Sequence, residues 1–223
     1  MVILKNTLAG MIDSTNIRAT ASRDDIERLC KEAIEHGFGC VCVNLIYTRM
    51  AASLLKRSKV KVCSTVGFPF GATLSEIKAL EAIRAIENGA EELDMVMNFG
   101  AFKSRDYDAV RRDVGAVVDV KRVSKEIIVK VIIETAHLSD EEKVIACKLV
   151  QEAGGDFVKT STGLFGKGAT VEDVRLMRQT VDKDFGVKAA GGIRTYDDAI
   201  AMIEAGANRI GTSTAVEIIK DAL

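Results

Sequence analysis

Residues 140–163 read DEEKVIACKLVQEAGGDFVKTSTG. Asp140–Ala153 carries apolar residues at helical spacing. Gly154 follows, where a glycine can take the left-handed turn that ends a helix. Phe157–Thr160 then reads as a short strand with a lysine, Lys159, inside it. The same order recurs along the chain: Asp24–His36 precedes Gly37, Ser75–Asn88 precedes Gly89, and Tyr196–Ala205 precedes Gly206. Asp106–Val123, Thr170–Val181 and Ala215–Ala222 read as further helices. Ser75 reads as a plain helix cap, and Thr170, with Asp173 three residues on, as a stronger start.

Strands are expected at Met11–Asp13, Cys40–Asn44, Val60–Gly67, Glu92–Asn98, Ile127–Glu134, Phe157–Thr160, Gly186–Ala190 and Asn208–Thr212. Short apolar strands alternating with helices imply a parallel sheet covered on both faces. An open doubly wound sheet usually carries G-x-G-x-x-G after its first strand. Here Asp13-Ser14-Thr15-Asn16 stands in that place. The reading is an α/β fold, a single (β/α)8 TIM barrel over residues 1–223.

Composition narrows the function. The net charge is −1, from 31 basic and 32 acidic residues, which disfavours a nucleic-acid or membrane-surface partner. No apolar run approaches the ~20 residues that span a bilayer. Five cysteines without framework spacing, and no secretory leader, point to a reducing cytoplasm. Cys30 and Cys147 on helix faces and Cys40 and Cys63 in strands read as small core residues. Two histidines, His36 and His137, are too few for a metal-dependent aldolase site, so no metal is expected.

Barrel enzymes place their chemistry at the C-terminal ends of the strands. Lys159 and Lys188 are both lysines inside strands that should be covered on each face, so each needs a partner or a chemical purpose. An amine attacks a carbonyl only when unprotonated. A second cation ~4 Å away disfavours the charged form by roughly 4 kcal/mol at an effective dielectric of ~20. Strands six and seven should be neighbours, so each lysine is expected to depress the pKa of the other. Asp94 is the third embedded charge, suited to orienting an ammonium or relaying a proton. Three glycine-bearing loops follow strands six, seven and eight: Ser161-Thr162-Gly163, Gly191-Gly192-Ile193-Arg194 and Gly211-Thr212-Ser213-Thr214. Glycine lets phosphate oxygens approach backbone N–H groups, and the last two loops occupy the customary barrel phosphate site.

These strings, together with Glu92-Leu93-Asp94-Met95-Val96-Met97-Asn98, Val129-Lys130-Val131-Ile132-Ile133-Glu134-Thr135, Val66-Gly67-Phe68-Pro69 and Ile12-Asp13-Ser14-Thr15, resemble the deoxyribose-phosphate aldolase family over nearly the whole chain. The resemblance implies a class I aldolase on a (β/α)8 barrel. Such an enzyme reversibly cleaves 2-deoxy-D-ribose 5-phosphate to D-glyceraldehyde 3-phosphate and acetaldehyde, without a cofactor. It implies Lys159 as the Schiff-base lysine, Lys188 as the second active-site lysine and Asp94 as the carboxylate that moves protons with it. Gly163, Gly191, Gly192, Gly211, Ser213 and Thr214 fall where the family binds phosphate, and Thr15, Cys42, Lys130 and Thr162 at positions lining the pocket. A homo-oligomer, dimer or tetramer, is expected. Ala189 stands where some members have proline, and the sequence stops at Leu223 where some carry a tail ending in tyrosine. Proton delivery to the enamine is therefore expected from Asp94, Lys188 and water. The alternatives are another Schiff-base sugar-phosphate aldolase and a barrel that binds a sugar phosphate without catalysis.

Overall fold

The fold is that of a computed structural model describing residues 3–122, 124 and 126–222. Eight parallel strands close into a barrel in sequence order, β1 pairing with both β2 and β8. The strands are β1 (Ile12–Asn16), β2 (Cys40–Val43), β3 (Lys61–Val66), β4 (Glu92–Val96), β5 (Ile128–Ile132), β6 (Phe157–Lys159), β7 (Gly186–Ala190) and β8 (Arg209–Thr212). A short helix, α1 (Lys5–Met11), precedes the barrel. The outer layer comprises α2 (Arg23–His36), α3 (Thr48–Leu55), α4 (Ser75–Glu87), α5 (Phe99–Lys103) and α6 (Tyr107–Val118). It continues with α7 (Asp140–Glu152), α8 (Val171–Thr180), α9 (Tyr196–Glu204) and α10 (Ala215–Lys220).

All eight expected strands are present. The first differs most: it runs on to Asn16, so Ser14 and Thr15 are strand residues and not the loop after it. The helices α1, α3 and α5 escape a periodicity reading because they are only five to eight residues long. Val123, the expected end of the helix from Asp106, lies outside the described residues; α6 itself stops at Val118 and continues as a 3-10 turn over Asp119–Arg122.

Local chemistry sets the helix ends. Ser22 with Asp25, Ser139 with Glu142 and Thr195 with Asp198 form reciprocal capping boxes. Thr170 caps α8 by accepting from the Asp173 N–H, as expected. Ser75 does not cap: it is the first residue of α4, and its hydroxyl donates to Asp113 Oδ1 at 3.1 Å. Gly37 ends α2 in the left-handed conformation at φ +69°.

Strand alternation divides the interior in two. Val41, Leu93, Met95, Val129, Val131, Val158, Val187 and Ile210 face outward into one large apolar layer beneath the helices. The side chains between them face the barrel axis, and most of those are ionisable or thiols. A buried ion pair fastens the outer layer: Lys78 on α4 donates to Asp113 on α6 at 2.6 Å and to the Val96 carbonyl at 2.9 Å, with both side chains essentially inaccessible.

Candidate active site

Lys159 and Lys188 are register partners on β6 and β7, and both point inward. Asp94 enters from β4. Its Oδ2 accepts from Lys159 Nζ at 2.6 Å and from Lys188 Nζ at 2.7 Å, so the two amines flank one oxygen. Its Oδ1 accepts from Lys130 Nζ at 3.0 Å and from the Cys63 thiol at 3.2 Å. Asp13 takes the far side of Lys188 at 2.5 Å and also binds Arg209. Glu92 closes the network, 2.6 Å from Lys130 and 3.1 Å from Arg209.

Burial would raise the Asp94 pKa, but the ammonium groups of Lys130, Lys159 and Lys188 outweigh it and hold the carboxyl well below its ordinary range. Asp13 is likewise held low: burial opposes its charge, and Lys188 and Arg209 more than compensate. Burial pulls the Lys188 ammonium down while Asp13 and Asp94 push it up, and the net direction is upward. This corrects the expectation that the Lys188 pKa is depressed. A carboxylate oxygen sits between Lys159 and Lys188, so Lys188 is a stabilised cation.

Asp13, Glu92 and Asp94 are held by Lys130, Lys188 and Arg209. Lys159 joins this network through Asp94 alone. It is also the lysine at the mouth: only 2% exposed, yet on the wall of a cavity of about 430 Å³ open at the C-terminal ends of the strands.

Of the residues expected around it, Thr15, Thr162, Gly163, Gly191, Gly192, Gly211 and Ser213 line this cavity. Gly163, Gly191 and Gly192 all have positive φ, between +80° and +88°, which bends their loops across the mouth. Thr214 is not on the wall; its N–H donates to Thr212 Oγ1 at 3.1 Å, fixing the turn. Cys42 and Lys130 also lie away from the wall. Both are fully buried beneath Asp94, so they shape the charged interior and not the pocket surface.

Sequence reasoning missed Glu92, Arg209 and Glu134 as site residues, and it treated Cys63 as filler. Glu92 and Arg209 carried a legible signal: each is spaced two residues or one register step from a recognised inward residue, Asp94 or Lys188. Cys63 is in register with Glu92 and reaches Asp94. Glu134, fully buried with φ +48°, accepts from the Thr162 N–H at 3.0 Å and its hydroxyl at 2.6 Å, tying down the start of the Gly163 loop. Nothing in the sequence marks that strained backbone. Arg18, Arg28 and Arg194 complete the rim together with Asp25 and Glu32, and Asp25 pairs with Arg28 at 2.6 Å and Arg18 at 3.7 Å.

Two groups have donor atoms close enough for a metal ion: Cys42, Cys63 and Asp94, and Asp13, Cys40 and Glu92. In both, the carboxylates already serve lysine or arginine side chains.

Among the described residues, no helix is long and apolar enough to cross a membrane. Residues 10–219 match the DeoC/LacD family aldolase model. The chain is 57% identical to the deoxyribose-phosphate aldolase of Thermococcus kodakarensis over 222 residues, 98% of each chain. It is 56% identical to that of Methanothermobacter thermautotrophicus over 217 residues, covering 97% of this chain and 95% of the other. Among solved structures, it matches the tetrameric deoxyribose phosphate aldolase of Aeropyrum pernix with a TM-score of 0.90 and 37% identity. That match covers 97% of this chain and 91% of the other. The chain belongs to the DeoC/LacD family of aldolases, and it is a carbon–carbon lyase built on a (β/α)8 barrel.

Proposed function

We propose that the chain reversibly cleaves 2-deoxy-D-ribose 5-phosphate to D-glyceraldehyde 3-phosphate and acetaldehyde, with Lys159 as the Schiff-base nucleophile. The observation that carries the proposal is the place of Lys159: a cavity-wall amine 2.6 Å from Asp94, facing the glycine loops after β6 and β7.

The Lys159 amine adds to the C1 aldehyde of the open-chain sugar, and water leaves to give an iminium. The C3 hydroxyl proton is taken up through a water held by Asp94 and Lys188. The C2–C3 bonding pair flows into the iminium, releasing glyceraldehyde 3-phosphate and leaving an enamine on Lys159. A proton returned to C2 restores the iminium, and water hydrolyses it to acetaldehyde and the free lysine. Phosphate held at Gly163, Gly191, Gly192, Gly211 and Ser213 fixes the reacting end by remote binding energy. Asp94 thus anchors Lys188 as a cation and, with it, holds the water through which the proton moves. The relatives' shared name supports this substrate. A homo-oligomer in a reducing cytoplasm is part of the same proposal, supported by the tetrameric relative and by five buried free cysteines.

Borohydride reduction with deoxyribose 5-phosphate, followed by peptide mass spectrometry, tests the chemistry. An adduct on Lys159 is expected; labelling of neither Lys159 nor Lys188 would end the proposal. Acetaldehyde release from the same substrate separates this reaction from a Schiff-base aldolase acting on another sugar phosphate.

A further inference from the structure

Three of the five cysteines stand apart from the apolar core. Cys30 and Cys147 pack into the large layer beneath the helices. Cys40 and Cys42 on β2 and Cys63 on β3 instead face the barrel axis and form a cluster of their own. Barrel interiors are usually filled by bulky branched side chains. Here thiols take that place, beneath the carboxylate that Lys159 and Lys188 share. Cys42 and Cys63 are register partners on adjacent parallel strands. Strands pair at ~4.8 Å, within the span that a disulfide bridges. The two sulfurs lie within 4.8 Å of each other and of an Asp94 oxygen. Both side chains point the same way, so no strand has to slip for a bond to form.

The sulfurs differ in chemistry. Burial pushes the Cys30 and Cys147 thiols up to about 12, which suits inert core cysteines. At Cys63 burial also opposes the thiolate, as does Asp94. Hydrogen bonds from the Cys40 and Cys42 thiols and the Lys130 ammonium at 3.6 Å outweigh them and bring Cys63 down to about 5. Cys42 moves the other way, well above the ordinary thiol range, because it gives its hydrogen bond to Cys63 and is buried. A nucleophilic sulfur thus faces a protonated one, as an attacking thiol faces a resolving thiol. Neither reaches solvent, yet the layer above them is thin. Cys42 Sγ is 3.8 Å from Asp94 Oδ2, the oxygen to which Lys159 donates at 2.6 Å from the cavity wall. Hydrogen peroxide is little larger than the water that the proposed reaction brings to this carboxylate.

We infer that Cys42 and Cys63 are a modification site: peroxide entering the cavity joins them in a reversible disulfide, and the bond switches the lyase off. The Cys63 sulfur attacks one peroxide oxygen and the O–O bond breaks. The departing hydroxide takes up the proton that Cys63 gave up and leaves as water, and Cys63 becomes a sulfenic acid. The Cys42 sulfur then forms the S–S bond, and the S–OH bond breaks. That hydroxyl leaves as water with the Cys42 proton. Two thiols are oxidised and one peroxide is reduced to two waters. Asp94, which holds the reacting water, thereby loses both of its thiol donors, and the sulfurs contract beneath it. The loss of activity rests on the proposed reaction; the bond itself does not.

The test treats the full chain with a modest molar excess of hydrogen peroxide and then alkylates it in denaturant. Free thiols are expected to fall from five to three, with a mass lower by two hydrogens. Aldol cleavage is expected to fall by about tenfold or more, the size of losing hydrogen bonds to a charged group. Dithiothreitol is expected to restore both. C40S is expected to form the bond as the wild type does. C42S and C63S, checked for folding by circular dichroism, are expected to form none and to keep the activity that each has untreated; C42A and C63A take their place if a buried hydroxyl prevents folding. Five thiols surviving peroxide in the wild type would overturn the inference. So would a disulfide in C42S or C63S, a disulfide that leaves turnover unchanged, or a loss that dithiothreitol does not reverse. Thiol count and mass are read apart from turnover, so a chain inactive on deoxyribose 5-phosphate would sink the proposed reaction while the bond is still decided.

Discussion

Two neighbouring lysines in the same barrel should respond very unequally to the same substitution. Lys188→Met removes an ammonium that Asp13 holds at 2.5 Å and Asp94 at 2.7 Å, with both carboxylates inaccessible. Removing one partner of a buried ion pair costs about 3–5 kcal/mol, because the remaining charge keeps its desolvation penalty. Lys159→Met removes one of the three ammonium groups on Asp94, which keeps Lys130 at 3.0 Å and Lys188 at 2.7 Å. A methionine fills nearly the same volume, so the expected cost is below about 1 kcal/mol. For a chain of this length 1 kcal/mol moves Tm by roughly 2–4 °C, so Lys188→Met should melt about 6–20 °C lower and Lys159→Met within about 3 °C of wild type. Thermal unfolding by circular dichroism at neutral pH reads both, and an aldol-cleavage assay should find both inactive. Equal losses of Tm in the two variants would refute the difference drawn from their carboxylate partners. So would a Lys188→Met protein that melts with the wild type.

The low pKa values of Asp13 and Asp94 give a stability that depends on acid. Both are depressed in the folded state, so below the ordinary aspartate value of ~3.9 the unfolded chain binds more protons. The stabilisation is complete above that value and is lost as pH falls through the folded pKa values, so Tm should be steady from neutrality to about pH 4 and then drop steeply. A Tm that is flat down to about pH 2.5 would be incompatible with the network. Gly168→Ala should raise KM for the phosphorylated substrate with little change in kcat, because a Cβ there would run into the Gly191 carbonyl and push the two phosphate loops apart; initial rates over a substrate series decide it. Glu134→Ala should lower kcat/KM by about tenfold or more, since it frees Thr162 and the Gly163 loop, which lose two hydrogen bonds worth about 1 kcal/mol or more each. Steady-state kinetics on the folded variant test this, and unchanged constants would show that the loop is held elsewhere.

Most strands were legible as short runs rich in valine and isoleucine, and β7 also by the single lysine inside Val187-Lys188-Ala189. The helix stops were legible through Gly37, Gly89, Gly154 and Gly206, all of which adopt positive φ. Ser75 misled because a hydroxyl beside a helix start looks like a cap whether it turns to its own backbone or, as here, to Asp113. The two lysines and Asp94 were visible as charges where none should survive burial, but their electrostatics were not. Local sequence shows that Lys159 and Lys188 are near one another; only the closed barrel shows Asp94 Oδ2 lying between them. Glu92 and Arg209 were marked only by their register with Asp94 and Lys188. They sit at strand starts, where charged residues are usually solvent-facing, and only barrel closure turns them inward.

The bond between Asp13 and Arg209 spans 196 positions of the chain, and that between Asp13 and Lys188 spans 175. The charges that neutralise the interior therefore come from opposite ends of the polypeptide and meet only when the first and last strands zip together. Any nascent or truncated form lacking the final strand would hold carboxylates in search of counter-ions, in an unclosed sheet with two raw edges. Such long-range pairing is slow to form. A chain lacking the last strand would have neither a sealed barrel nor the Arg209 charge that Asp13 shares with Lys188.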